Sequence, residues 1–143
     1  MTSLQGISFV TLGVQDLERS AAFYRAMGLK PHPRSNNSTI FFQLQGQVLA
    51  LYPRHLLAED ACIEVPGSGF GGITLARNVA SGEAVSALLD RAVKAGGTLM
   101  RNASEPPWGG LRGYFADPDG HAWEVAWNPG MRLDDEGGAW LPE

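Results

Sequence analysis

The sequence has little of several features that mark broad functional classes. It has one cysteine, Cys62, among 143 residues, which excludes an internal disulfide and a redox pair of thiols. No apolar run approaches the ~20 residues of a membrane-spanning helix. The N-terminus has neither the basic start nor the apolar stretch of a signal peptide. We therefore expect a cytoplasmic protein that makes no contact with a membrane.

Motifs for nucleotides and nucleic acids are also missing. Eleven basic and fifteen acidic residues give a formal net charge of −4, and no basic stripe is present, so we expect no nucleic-acid partner. There is no dinucleotide fingerprint, no phosphate loop and no nucleophile elbow. The glycines at 67–72 precede a predicted strand, whereas a phosphate-binding loop precedes a helix. We accordingly expect no bound cofactor.

What the sequence does contain is a repeat. The segment Phe9-Val-Thr-Leu12 is echoed by Gly72-Ile-Thr-Leu75, and Gln45-Gly46 with Ala50-Leu51 is echoed by Asp119-Gly120 with Glu124-Val125. The repeat predicts two copies of one structural unit, joined by a linker. If the two copies pair, equivalent positions converge on one shared cleft.

Hydrophobic periodicity predicts the order β-α-β-β-β in each unit, and therefore the α+β class. In the first unit we expect strands at 7–12, near 29–33, at 39–44 and at 47–52, with a helix that Asp16 caps and Gly28 ends. In the second we expect strands at 70–77, near 98–101, at 111–116 and at 121–127, with a helix that Ser81 caps and Gly96-Gly97 ends. Module 1 then spans about 6–53, the linker 54–69 with one or two helical turns at 54–60, module 2 about 70–129, and a C-terminal tail 130–143.

Two segments carry a resemblance to a known family. One is Val10-Thr-Leu-Gly-Val-Gln-Asp-Leu17, with Ser20, Phe23-Tyr24 and Gly28 after it. The other is Phe115-Ala-Asp-Pro-Asp-Gly120, followed by Trp123-Glu124-Val125. Over residues 6–129 the chain resembles the vicinal oxygen chelate superfamily, which includes glyoxalase I, extradiol dioxygenases and bleomycin- and fosfomycin-resistance proteins. The resemblance implies a single glyoxalase-like domain over 1–143, in which two tandem modules form a mixed sheet curled around a concave cleft. It implies no one activity, because this fold hosts several chemistries.

The resemblance also implies where a metal would bind. Metal-dependent members place one ligand on the first and one on the last strand of each module, and these positions correspond to Phe9, Ala50, Gly72 and Glu124. Zinc sites need three or four protein ligands, and non-haem iron sites usually use two histidines and a carboxylate. Glu124 alone of the four can bind a metal, and His121 should point to the opposite face of its strand. We therefore expect no metal site.

Strand alternation predicts which side chains face the cleft. From the strand before the last, either Arg112 and Tyr114 or Gly113 and Phe115 face inward, and the sequence leaves this choice open. Arg112 either pairs with Glu124, binds an anionic ligand or is a solvated surface charge. The candidate ligand-binding residues are Phe9, Thr11, Ala50, Tyr52, Gly72, Trp108 on an overhanging loop, Arg112, Tyr114 and Glu124.

Four functions are compatible with this reasoning. The leading hypothesis is a binding protein for a small aromatic or apolar molecule, since resistance members of the family sequester drugs. The alternative is a metal-free enzyme of lyase or isomerase type that uses Glu124 as catalytic acid or base, with Tyr114 or Arg112 steadying developing charge. A metal-dependent lyase or dioxygenase with other ligands, and a structural module with a filled cleft, are the remaining two. Because relatives commonly pair and Trp140 needs a packing partner, we also predict a homodimer.

Overall fold

The chain folds as two compact units, Met1–Gly69 and Phe70–Glu143. A computed structural model describes residue 7 and residues 9–62, 70–71, 73–107, 109–136 and 138–140. Each unit combines helix with an open sheet of parallel and antiparallel strands, which confirms the predicted α+β class. None of the helices in the described ranges is both long and apolar enough to span a bilayer.

Unit 1 is a three-stranded sheet with two helices. Its elements are β1 (Phe9–Val14), α1 (Leu17–Ala26), β2 (Ile40–Gln43), β3 (Val48–Pro53) and α2 (Arg54–Asp60). The strand order is β1-β3-β2, with β1 parallel and β2 antiparallel to β3. The segment predicted as a linker thus begins with a seven-residue helix.

The core of unit 1 lies between α1 and one face of this sheet. Asp16 caps the helix as predicted, because its Oδ1 accepts a bond of 3.0 Å from the Arg19 amide. The helix buries Phe23 and Tyr24, and the Tyr24 ring lies 6.1 Å from that of Phe42. The buried apolar side chains on this face of the sheet are Leu12, Val14, Phe42, Leu49 and Leu51.

The strand predicted near residues 29–33 is reduced to one isolated bridge, Pro31 to Phe42. The His32 amide donates to the carbonyl of Phe41 at 2.7 Å, but Pro31 and Pro33 on either side have no N–H to continue a ladder. Proline therefore limits this edge to a single pairing.

Unit 2 contains the complete pattern. Its elements are β4 (Leu75–Asn78), α3 (Gly82–Lys94), β5 (Thr98–Ser104), β6 (Leu111–Ala116) and β7 (Ala122–Trp127), in the order β4-β7-β6-β5. The Ser81 hydroxyl accepts from the Ala84 amide at 3.2 Å and caps α3. Val85, Leu89 and Ala92 of that helix are buried, and α3 packs on β5, β6 and β7.

The turn between β6 and β7 depends on a buried aspartate. Asp117 is 2 % exposed, and its Oδ1 accepts from the amides of Asp119 and His121 at 2.9 Å each. The Gly120 amide closes the turn on the Asp117 carbonyl at 3.0 Å. Asp117 is therefore a structural residue of this turn.

The predicted tail contains a small hairpin of β8 (Arg132–Leu133) and β9 (Ala139–Trp140). Asp134 holds the turn, because its Oδ1 accepts from the amides of Gly138 at 2.7 Å and Glu136 at 3.0 Å. The bond from Gly138 is the main cause that lowers the pKa of Asp134. The Arg132 guanidinium lies 5.3 Å from the Trp140 ring centroid, as in a cation–π contact.

Candidate functional site

Unit 1 presents an aromatic surface on the sheet face opposite α1, which we call the Phe9 face. It carries Phe9, Thr11, Phe41, Ala50 and Tyr52, because Thr11 and Phe41 both pair with Ala50 and side chains alternate along each strand. Phe9 is 54 % exposed, and its ring meets Phe41 edge-on at 6.2 Å. Thr11 is exposed, Tyr52 is partly buried, and Ala50 is buried at 2 %. The exposed ring of Phe9 is therefore the main contact surface of this face.

Unit 2 presents a polar surface on the sheet face opposite α3, which we call the Glu124 face. The strand register sets its residues in two rows across the four strands. The rows, from β4 to β5, are Ala76, Glu124, Tyr114, Arg101 and then Asn78, Ala126, Arg112, Ser104. Neighbours within a row lie about one strand spacing apart, ~4.8 Å.

The choice that the sequence left open on β6 is resolved. Arg112 and Tyr114 share the face of Glu124, whereas Gly113 and Phe115 lie on the side covered by α3. A Cβ on Gly113 would stand 2.5 Å from Cδ1 of Leu89.

Trp123 also lies on the α3 side. Its ring is parallel to that of Phe115, with centroids 6.2 Å apart and 3° between the planes. Trp123 is therefore a packing residue.

Glu124 is surrounded mainly by small side chains. Its β4 neighbour is Ala76, and Ala122 and Ala126 flank it two residues away along β7, on the same face. The Tyr114 hydroxyl donates to Oε2 of Glu124 at 3.2 Å. The carboxylate is thus partly buried and held from one side, on a floor of alanine.

The environment of Tyr114 raises the pKa of its phenol above the ordinary 10.0. Burial is the largest cause, and the negative charge of Glu124 and the hydrogen bond to it add to the rise. The positive charges of Arg112 and Arg101 act in the opposite direction. Glu124, Arg112 and Arg101 therefore all lie close enough to the hydroxyl to influence its ionisation.

Arg112 is anchored to the neighbouring strand. Its Nη1 donates to Oγ of Ser104 at 2.7 Å and to the Ser104 carbonyl at 3.3 Å. Neither Ser104 nor Arg101 is among the predicted site residues, and Ser104 lies beyond the strand predicted near residues 98–101. Shifts of register along β5 bring both onto the Glu124 face, and no periodic signal in the sequence marks them.

The candidate residues fall into two groups. Phe9, Thr11, Ala50 and Tyr52 lie on the Phe9 face, and Arg112, Tyr114 and Glu124 lie on the Glu124 face. Gly72 and Trp108 lie outside the described residues, so their predicted contacts stay predictions.

The pairing of β4 differs by two residues from what the repeat predicts. Leu75 pairs with Trp123, which is the counterpart of Leu49, and Leu49 pairs with Val10. Leu75 therefore takes the place of Val10, although the sequence echo aligns it with Leu12. A shift of two leaves each side chain on the predicted face.

The residues present do not fit the metal centre that the family implies. By the observed pairing the counterpart of Phe9 is Thr74, which replaces Gly72 in the set of four positions. Apart from Glu124, this set then consists of Phe9, Ala50 and Thr74, whose side chains carry no imidazole, thiolate or carboxylate. Among the residues that the structure describes, no three His, Cys, Asp or Glu side chains gather as a metal site would require.

Comparison with known families agrees with this architecture. The profile of the Glyoxalase/Bleomycin resistance protein/Dioxygenase superfamily matches residues 6–125. The chain belongs to this superfamily, which confirms the resemblance noted in the sequence. A search of curated protein sequences found no match.

Solved structures share the fold. A glyoxalase-related enzyme from Fulvimarina pelagi is 43% identical, with a TM-score of 0.89 over 98% of this chain and 100% of its own. A glyoxalase/bleomycin resistance protein/dioxygenase from Nocardioides is 25% identical, with a TM-score of 0.71 over 94% and 93% of the two chains. A lactoylglutathione lyase from Agrobacterium tumefaciens, at 23% identity and a TM-score of 0.65 over 88% and 96%, is similar in fold alone.

Proposed function

We propose that this protein binds a small aromatic or apolar molecule, with the Glu124 face of unit 2 as its binding surface and without a family-type metal centre. The observation that carries the proposal is the position of Glu124, a partly buried carboxylate set among three alanines and held by Tyr114.

The alanines supply the apolar part of such a surface. Ala76 is exposed and Ala122 is partly buried, and each projects only a methyl group, so a flat ligand can approach the sheet closely beside Glu124. Ala126 is itself buried, at 3 % exposure. Small-molecule sites commonly combine an apolar lining with a few polar groups that fix orientation. Glu124, Tyr114 and Arg112 are such groups.

Glu124 supplies polar recognition. Tyr114 occupies one carboxylate oxygen, and within the described part of the chain Oε1 has no protein donor. A ligand hydroxyl, amide or ammonium group can therefore donate to Oε1. A carboxylate that is partly desolvated forms stronger hydrogen bonds than one in water.

A thermal-shift screen of aromatic and apolar metabolites tests the proposal. A ligand that binds only the folded state raises Tm, by an amount that grows with the ratio of its concentration to Kd. We expect at least one compound to stabilise the wild-type protein, and Glu124→Gln to reduce that shift. Glu59→Gln removes an exposed carboxylate of α2 and should keep the full shift.

Two results contradict the proposal. One is the absence of stabilisation by every compound of a broad library. The other is a ligand whose shift is the same in Glu124→Gln as in the wild type, because its binding surface then lies elsewhere.

A metal-free enzyme is the second candidate function. It is supported by the description of the 43% identical Fulvimarina pelagi protein as a glyoxalase-related enzyme, and by the hydrogen bond from Tyr114 to Glu124. In this reaction class Glu124 accepts or returns a proton, and Tyr114 steadies the charge that develops nearby.

Turnover assays separate the two candidates. On a substrate found by the screen, Glu124→Gln should abolish turnover while binding persists. Full activity of Glu124→Gln excludes this role for Glu124.

A cytoplasmic location, a homodimer and the absence of a nucleic-acid partner also stay predictions of the sequence.

A further inference from the structure

We propose that the ligand of the Glu124 face carries a carboxylate, and that Arg112, assisted by Arg101, is the group that binds it. This inference rests on the proposed function, because it names the chemical class of the molecule that would occupy the same surface.

Ser104 anchors Arg112 through one nitrogen of its guanidinium. Both of its short contacts are made by Nη1, to Oγ and to the carbonyl oxygen of Ser104. A guanidinium has five N–H donors in a rigid planar fork. Within the described residues Nε and Nη2 have no acceptor, so donors remain for a ligand while Ser104 holds the group in place.

Positive charge exceeds negative charge on this part of the Glu124 face. Arg101 stands opposite Tyr114 across the sheet, and both arginines act on the Tyr114 hydroxyl. Glu124 supplies one negative charge against these two positive charges. The part of the face around Arg112 and Arg101 is thus locally positive in a chain whose formal net charge is −4.

The guanidinium of Arg112 also matches a ligand carboxylate in shape. The planar fork of arginine matches the two oxygens of a carboxylate, which it binds through paired parallel hydrogen bonds. Because Ser104 already restricts the side chain, less conformational entropy is lost when the anion binds. Ser104 is therefore a positioning residue for Arg112.

The experiment compares three matched probes, benzoate, benzamide and benzylamine, in NMR titrations of the isotopically labelled protein. The probes share a ring and differ in charge. We expect benzoate to bind about tenfold more tightly than benzamide, with the largest shifts at the amides of Arg112, Gly113 and Tyr114. Added salt should weaken benzoate binding and leave benzamide binding nearly unchanged.

Variants test the assignment. Arg112→Gln should remove the preference for benzoate over benzamide, and Arg112→Lys should keep part of it, because lysine retains the charge without the fork. Ser104→Ala should weaken benzoate binding by less than Arg112→Gln does. Arg34→Gln, which removes one positive charge from an exposed loop of unit 1, is the control and should leave benzoate binding unchanged.

The outcomes distinguish this inference from the proposed function. If benzamide or benzylamine binds as tightly as benzoate, or if Arg112→Gln keeps the preference, the carboxylate inference is wrong while the binding function stands. If none of the three probes, and no compound of the thermal-shift screen, binds at the Glu124 face, both are wrong. The salt dependence of the wild-type protein decides the question even where a variant fails to fold.

Discussion

Gly113 lies on β6 where this strand packs against helix α3. Its flanking residues Arg112 and Tyr114 lie on the Glu124 face, so its own position faces the helix. A Cβ there would stand 2.5 Å from Cδ1 of Leu89 and 2.8 Å from the Arg101 carbonyl oxygen. A leucine side chain can move aside, but a backbone carbonyl in a strand cannot do so without moving the strand.

We therefore expect Gly113→Ala to destabilise the protein by ~1–3 kcal/mol, the usual cost of overpacking a core. The free energy of unfolding from urea denaturation measures this. Gly71→Ala is the matched control, because a Cβ on Gly71 meets nothing within 4 Å. Equal stability of Gly113→Ala and the wild type would mean that α3 does not cover this part of β6.

Tyr114 makes the stability of the fold depend on alkaline pH. Its pKa is raised above 10.0, first by burial and then by Glu124, so the folded state holds the phenolic proton more tightly than the unfolded state. This contribution to stability is fully present below the unfolded pKa near 10, and it is lost as pH rises through the folded pKa.

The tyrosinate absorbance and the unfolding free energy, both followed against pH, measure this effect. Above pH ~10 the wild type should lose more stability than Tyr114→Phe. Glu124→Gln should move the titration of Tyr114 to lower pH, because it removes the negative charge beside the hydroxyl. A Tyr114 titration that is unchanged in Glu124→Gln contradicts the contact between them.

Single residues also show where sequence reasoning reached its limit. Alternation along β7 placed Glu124 opposite the helix-packed Trp123, and the structure agrees. The repeat misplaced the counterpart of Phe9 by two residues, because a pattern of period two reads the same after a shift of two. Arg101 and Ser104 could not be predicted, since register shifts in β5 leave no periodic mark in the sequence.

Helix α3 shows how an element can be predicted from its ends. Ser81 before an apolar stripe and Gly96-Gly97 after it fixed both boundaries within two residues of the observed Gly82–Lys94. The strands are less predictable. β4 begins at Leu75 instead of at the predicted residue 70, and the sequence does not predict the short β8–β9 hairpin. Local side-chain bonds define helix ends, whereas a strand's length depends on a partner distant in the sequence.

The bond from the Ala84 amide to the Ser81 hydroxyl caps the first turn of α3. Ser81→Ala removes the acceptor of the Ala84 amide and should lower the free energy of unfolding by ~1 kcal/mol. Ser86→Ala lies at an exposed interior position of the same helix and should be neutral or slightly stabilising, because alanine has the higher helix propensity. Denaturation of both variants measures the difference. Equal effects of the two substitutions would exclude a capping role for Ser81.

For the molecule as a whole, the predicted homodimer is open to direct measurement. Leu99, Met100 and Trp140 are large apolar side chains that are 41%, 61% and 51% exposed. Leu99 and Met100 lie on β5, an edge strand of its sheet, and edge strands offer unpaired backbone groups to other chains. Light scattering at micromolar concentration should give twice the chain mass of 15.3 kDa. The mass of a single chain would refute the prediction.

The fold of the chain was predictable because the repeat, the helix caps and the two motif segments all indicated the same architecture. The chemistry of the candidate site was less predictable than the fold, because it depends on which side chains meet on one face of the sheet. The sequence alone does not decide among the three roles of Arg112. The pairing of β5 with β6 brings Ser104 next to Arg112 and so shows that Arg112 is anchored.

We propose that the Glu124 face binds an organic molecule and holds no metal. A crystal structure of protein purified without chelators, with anomalous diffraction data collected for metals, tests it most directly. We expect density for an organic ligand against Ala76, Glu124 and Arg112, and no metal within the ~2.0–2.6 Å of a coordination bond to Glu124. A fully occupied metal ion coordinated by the Glu124 carboxylate would contradict this proposal.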